Sequence, residues 1–270
     1  MTEPEIFEVF AVKYATHDRN ADMNFKDPPD IHDGPMPIDY FVWLLRSDKR
    51  TIVVDTGFTK ETAEARGRTF LRCPTEGLAL LGVNASEVED VILTHMHYDH
   101  VGNFDLFPNA RLHIQDKEMA FATGRNMRHR PFRNSMNIED VVGMVRQIYA
   151  DRVDFHDGDF EMAPGLTVHL VGGHTAGLQF IRVFTKRGWV VVASDACHLY
   201  ANMEKGNPFP VIYHLEEMLE GYETLKRLAD SPGHIVPGHD PLVMERYPAP
   251  SPDLEGIVIR LDEYVGPNSA

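Results

Sequence analysis

The sequence predicts an α/β (α+β) chain: two packed β-sheets with helices on the outside, within one domain. Three observations predict it. Strand-like runs and helical stretches occur together in both halves of the 270 residues, and antiparallel hairpins are visible among the strands. No linker separates two cores and no internal repeat appears. A hydrophobic content of 43% is enough to bury a sizeable core.

Taken in order, Ile6 to Tyr14 reads as a first strand, rich in β-branched and aromatic side chains. His17 to Pro37 then carries four prolines with many Asp and Asn, long for an ordered connection. It is therefore mobile or functional, for instance a flap over a site. Its apolar residues Met23 and Phe25 suit closure on a ligand or, with slightly more weight, packing on the scaffold. Ile38 to Arg46 and Thr51 to Asp55 form a hairpin around the polar turn 47–50, and the second strand ends in the sharp turn Asp55-Thr56-Gly57. Thr59 to Gly67 and Thr75 to Leu81 are short helical candidates.

Asp90 to Leu93 is a strand, Ala110 to Ile114 another, and Asp116 to Ala122 a short helix. Arg125 to Pro131 reads as irregular. Ile138, Val141, Val142, Val145, Ile148 and Tyr149 recur at spacings of three and four, an amphipathic helix. Strands are expected over 153–156, 166–170, 178–184 and 190–194. A last helix presents Leu215, Met218, Leu219, Tyr222, Leu225 and Ala229, stopping before Ser231-Pro232-Gly233. His234 to Val236 is a final short strand before a proline-rich tail from Tyr247.

Composition excludes several functions. The net charge is −15 with pI near 5.3, and the densest basic patch, Arg125 to Arg133, is short and interrupted. That argues against nucleic acid as a partner. Two cysteines, Cys73 and Cys197, make no disulfide framework. The acidic start Met1 to Glu5 lacks the features of a signal peptide, and no apolar run approaches a membrane span. A soluble cytoplasmic protein is expected, and a homodimer is one expectation, with the proline-rich 17–37 segment against a partner subunit.

The chemistry concentrates in Thr94-His95-Met96-His97-Tyr98-Asp99-His100, directly after an apolar strand. Imidazole and carboxylate suit borderline divalent metals. One cation cannot easily take His95, His97, Asp99 and His100 from so short a segment, so the spacing suggests two adjacent metals. Partners should lie at other strand ends. His174 in Gly172-Gly173-His174, Asp195 in Ser194-Asp195-Ala196 and His239 in Pro237-Gly238-His239 each interrupt the end of an apolar strand beside small residues.

The order HxHxDH, GGH, DA and PGH resembles the metallo-β-lactamase superfamily from Ile38 to His239. The resemblance implies a four-layer αβ/βα sandwich with a dinuclear site at one edge. It assigns His95, His97 and His174 to one metal, Asp99, His100 and His239 to the second, and Asp195 as the bridge. It gives Asp55 a supporting role. Zn²⁺ is the expected ion, with Co, Mn or Fe also suited to such ligands. The N-acyl homoserine lactonase branch looks most similar, implying attack of a bridging hydroxide on a lactone carbonyl with Asp99 managing the proton. In that branch a tyrosine commonly stands three residues after the bridging aspartate. Here that residue is His198, with Tyr200 two further on, and either can serve as the substrate-contacting group. Rival readings are another small ester or cyclic amide, a glyoxalase II-like thioester, a mononuclear iron oxygenase and a non-catalytic metal-binding protein. The absent helical extension disfavours the thioester, and the absent signal peptide a secreted β-lactamase.

Overall fold

The computed structural model describes residues 3–30 and 32–263. Met1, Thr2, Ile31 of the proline-rich segment and the end of the tail from Tyr264 lie outside the described residues. Strands β1 (Glu8–His17), β2 (Ile38–Arg46), β3 (Thr51–Val54), β4 (Thr69–Phe70), β5 (Asp90–Ile92), β6 (Arg111–Gln115) and β7 (Val153–His156) belong to the first sheet. Strands β8 (Phe160–Ala163), β9 (Leu166–Leu170), β10 (Gln179–Thr185), β11 (Gly188–Ser194) and β12 (Ile235–Pro237) form the second. Strand β13 (Val258–Arg260) returns to the first sheet. The first sheet runs β13-β1-β2-β3-β5-β6-β7, with β4 on β1, and the second β12-β11-β10-β9-β8. Both are mixed. The β13-β1-β2-β3 pairs are antiparallel and β3-β5-β6-β7 parallel, while β12 joins β11 in parallel at the edge of an otherwise antiparallel sheet.

Side-chain alternation sets the layers, because successive residues of a strand face opposite sides. Phe41, Trp43 and Leu45 of β2 enter the core between the sheets, where they join Val168, Ile181, Val183, Val190 and Val192 of the second sheet. Their neighbours Val42 and Leu44 face the other way, with Ala63, Leu78 and Met144 of the helices outside. On the far face of the second sheet, Phe180, Val191 and Ala193 meet Tyr222 and Leu225. The result is helix, sheet, sheet, helix, the expected four-layer sandwich.

The hairpin β2–β3 and the helix Lys60–Arg66 fall where the sequence places them. The Thr59 side chain accepts from Thr62 N, and Gly67 closes the helix at φ 65°. Other expectations change. Residues 125–133 are a 3₁₀ turn, Arg125–Arg128, and a one-turn helix, Arg130–Arg133, whose Pro131 sits in the first turn, where its missing N–H costs nothing. The helix Leu215–Leu228 is not the last, since Leu242–Arg246 follows, and β12 is not the final strand. Strands β4, β8 and β13 and the helix Tyr200–Glu204 carry too few residues to display a period. The buried stripe of Leu215–Leu228 is Met218, Gly221, Tyr222 and Leu225, while Leu215 and Leu219 are exposed.

The 17–37 segment is tied down at several points. Asn20 bridges Pro35, Asn24 Nδ2 donates to Met36 O at 2.8 Å, and Asn202 Nδ2 donates to Asn24 O at 2.9 Å. Phe25 is buried and Met23 exposed, so Phe25 follows the scaffold-packing alternative. Among the described residues no helix is long and apolar enough to cross a membrane.

Candidate metal centre

Five strand ends converge at one edge of the sandwich: β3 delivers Asp55, β5 the 94–100 loop, β9 His174, β11 Asp195 and β12 His239. The backbone is shaped for this. Asp55 and Ser194 are non-glycine residues at φ 60° and 46°. Such left-handed positions persist only where the surroundings over-determine them. Asp55 is pinned on both oxygens. Oδ1 accepts from Thr94 N at 2.7 Å, and Oδ2 lies 2.8 Å from Thr94 Oγ1 and 2.7 Å from His100 Nδ1. Asp55 thus orients His100 from behind, as the resemblance implies.

The side chains of the sequence motifs meet around Asp195. Its Oδ2 is 3.5 Å from His95 Nε2 and 3.1 Å from His174 Nε2, while His97 Nδ1 lies 3.0 Å from His95 Nε2 and 2.9 Å from His174 Nε2. Its Oδ1 is 3.4 Å from His100 Nε2 and 2.9 Å from His239 Nε2. Asp99 Oδ2 stands 3.9 Å from both His100 Nε2 and His239 Nε2. His95, His97, His174 and Asp195 form one group with ligand atoms within 4.8 Å of one another, and Asp99, His100 and His239 form another.

These residues fit divalent ions. His100 Nε2 and Asp195 Oδ1 are buried and make no hydrogen bond, although His239 Nε2 comes within 2.9 Å of Oδ1. That approach is of atoms converging on a shared point. Facing imidazole nitrogens likewise repel unless a proton or cation lies between them. The outer nitrogens are anchored: His174 Nδ1 donates to Val211 O and His239 Nδ1 to Asp39 O, both at 2.8 Å. With His100 Nδ1 on Asp55, this leaves Nε2 of each ring free to ligate, the usual support of a ligating histidine.

Electrostatics separates the rings. Burial and the neighbouring imidazoles push His95 and His97 well below the usual histidine range, which keeps them neutral. Burial opposes charge on His100 and His239 too, but the Asp195 carboxylate prevails and raises both. Burial alone would raise Asp195; His198, His239 and His100 instead hold it well below the carboxylate range.

His198 stands at the site, with Nε2 3.1 Å from Asp195 Oδ2 and its ring stacked on Phe209 at 4.0 Å. Burial lowers its pKa to about 3, so the ring is neutral. With Asp195 and His239 it forms a third group of ligand geometry, a capacity the sequence reading did not give it. Tyr200 is not brought to the site. It opens the helix Tyr200–Glu204, its N–H donates to Asp240 Oδ2 at 2.9 Å, and its ring packs in the inter-sheet core under the Arg246 guanidinium, 3.8 Å away. Its expected contact with substrate is therefore withdrawn.

A cavity of about 370 Å³ opens above the cluster. Its floor includes His97, Asp99, His174, Asp195, His198 and His239, and its walls Tyr40, Tyr98, Phe209, Arg19, Arg66 and Arg68. Sequence reasoning missed these arginines, which have no motif. It also missed Glu118, a fully buried carboxylate in the first turn of the helix Asp116–Thr123. Glu118 Oε1 accepts from Met96 N at 2.8 Å, and Oε2 accepts from Thr175 Oγ1 at 2.7 Å and Gly177 N at 2.9 Å. One side chain thereby holds the His95–His97 loop against the His174 loop. Gly177 makes room, because a Cβ there would meet Glu118 N at 2.3 Å.

Fold and site together define the class. Residues 37–239 match the model of the metallo-beta-lactamase superfamily, and the chain belongs to that family. Among curated relatives, it is 28% identical over 204 residues to N-acyl homoserine lactonase AiiB of Agrobacterium fabrum, covering 67% of this chain and 72% of that one. It is 25% identical over 223 residues to the probable metallo-hydrolase Rv2300c of Mycobacterium tuberculosis, covering 73% and 69%. A solved quorum-quenching N-acyl homoserine lactone lactonase superimposes with TM-score 0.72 over 89% of this chain and 95% of its own, at 21% identity, a likeness of fold.

Proposed function

We propose that the chain is a metal-dependent hydrolase that opens the ring of a small lactone, an N-acyl homoserine lactone or a related cyclic ester. The observation that carries this is Asp195, whose two oxygens face two different ligand groups at the floor of an open cavity. In this reading His95, His97 and His174 hold one divalent ion, Asp99, His100 and His239 a second, and Asp195 both, with Zn²⁺ the ion best suited. When bound, such ions lower the pKa of water towards neutrality and polarise a substrate carbonyl.

The protein's own residues supply the rest. Asp99 is the least buried member of the cluster and borders the cavity, so it is placed to take a proton from the attacking water and return it to the leaving oxygen. His198, neutral and buried beside Asp195, orients the reacting carbonyl. Tyr40, Tyr98 and Phe209 wall the cavity and limit water around the ring. The beginning of the 17–37 segment reaches the cavity through Arg19, which supports its role as a cover within one domain.

The test is a hydrolysis screen by pH-indicator release across homoserine lactones, aliphatic lactones, aryl esters and glutathione thioesters, with metals quantified on the same sample. Two divalent ions per chain with turnover confined to lactones is the expected result. A single iron, or thioester turnover without lactone turnover, overturns the reading.

A further inference from the structure

We propose that the substrate of this site carries an anionic oxygen group, a carboxylate or a phosphate, which docks on Arg19 with Arg68 beside it at the cavity mouth. The inference rests on the hydrolase reading above and adds the substrate's charge.

The cavity is out of character with the chain. Acidic residues outnumber basic ones, 41 to 26, yet Arg19, Arg66 and Arg68 line this one cavity. Four arginines elsewhere pair with carboxylates: Arg46 with Glu8, Arg50 with Glu5, Arg111 with Asp154 and Arg260 with Asp262. Among the described residues, none of the cavity arginines does. Arg66 gives Nη1 and Nη2 to the carbonyls of Asn134 and Met136, so its role is to hold chain. Arg68 donates Nε to the Tyr98 hydroxyl at 3.1 Å and Nη1 to Arg66 O at 2.6 Å, facing His17 Nε2 at 3.2 Å. Burial and the Arg68 and Arg19 guanidiniums lower the pKa of His17 to about 4, so it is neutral and cancels no positive charge.

Arg19 is the least committed. Its Nη2 donates to Met23 O, while its Nε is buried with no hydrogen-bond partner. A guanidinium cannot shed its charge, so an unpaired buried N–H costs free energy until an acceptor arrives. Burial and the nearby Arg68 both disfavour the charge on Arg19, a standing repulsion that an anion between them would relieve. Arg19 lies over Phe209, 4.9 Å from its centroid, and Phe209 stacks on His198, which touches Asp195. One stacked ring thus separates the guanidinium from the histidine of the reacting centre. A planar guanidinium fork matches a carboxylate or phosphate edge.

The test uses the full-length, metal-loaded protein and titration calorimetry with three ring compounds: tetrahydrofuran carboxylate, its carboxamide and the corresponding phosphonate. None contains an ester, so binding is read whether or not lactones are hydrolysed. The expected result is that one or both anions bind about tenfold more tightly than the amide. Arg19→Gln should remove that preference with metal content and melting temperature unchanged, and Arg19→Lys should restore part of it. Tighter binding of the carboxylate or of the phosphonate assigns the anion. Equal affinity for all three, or an anion preference that survives Arg19→Gln and so belongs to the metal ions, overturns the proposal. An Arg19-dependent preference in a protein that hydrolyses no lactone would leave the docking site standing and remove the lactonase reading alone.

Discussion

The floor and the wall of the same cavity are built on different principles. The floor is a set of histidines and carboxylates at strand ends, three of them fixed from behind by a second group: Asp55 behind His100, the Asp39 carbonyl behind His239, the Val211 carbonyl behind His174. The wall is arginine and aromatic side chain, and its Arg19 and Arg66 are held by backbone carbonyls of the short turns around Met23 and Asn134 to Met136. Sheet register fixes the floor, so its chemistry tolerates little change. Connecting segments fix these two arginines, and such segments are where a common scaffold acquires its choice of substrate.

The largest effect should come from breaking the floor at its centre. Asp195→Asn keeps shape but halves the carboxylate's capacity to face two groups. Hydrolysis should fall by at least about a thousandfold, with loss of bound metal on quantification. Full activity with both metals retained would sink the bridging assignment. A smaller effect is expected where floor meets wall. His198→Phe preserves the stack on Phe209, and lactone turnover should drop about a hundredfold with metal content intact. If metal is lost with it, His198 is a ligand, as its proximity to Asp195 and His239 allows; an unchanged kcat/KM makes it a bystander.

The smallest effect lies behind the wall, at Asp140. Burial raises its pKa from 3.8 to about 6, against the pull of Arg66, and its Oδ2 has no hydrogen-bond partner. Because the folded-state value lies above the unfolded one, the folded chain binds the proton more tightly, and stability is lost as pH rises through that window. Above it the ionised carboxyl costs about 1–2 kcal/mol once solvent screening is allowed for. Asp140→Asn should therefore raise Tm by about 2–4 °C at pH 8, with the gain shrinking towards pH 4. Melting curves across that range test this, and a gain independent of pH would locate the benefit elsewhere.

The same division explains what could be read in advance. The proposed ligands announced themselves: His95, His97, Asp99 and His100 by their dense spacing after an apolar strand, and His174, Asp195 and His239 because each interrupts an apolar strand end beside glycine or another small residue. The helix Lys60–Arg66 was legible from Thr59 and Gly67 for an equally local reason. Strand β13 was not, because three residues show no alternation and their partner, β1, lies some 250 positions earlier. Arg19 and Glu118 were illegible for the same cause: nothing beside them in the chain marks them, and each matters only through segments that folding brings near. Tyr200 shows the converse error, in which spacing along the chain suggested nearness to substrate and a single helical turn carried the ring elsewhere.

Glu118 has a consequence for how the centre fills. The ligand loops of the two halves of the chain are clasped to each other by direct hydrogen bonds to a carboxylate buried against Gly177. The entropy of bringing those loops together is lost during folding and does not weaken the later capture of metal. Metal uptake is then a docking step into a standing receptacle, and a loop grafted here to recognise a new substrate would keep its metals only if it preserved that clasp.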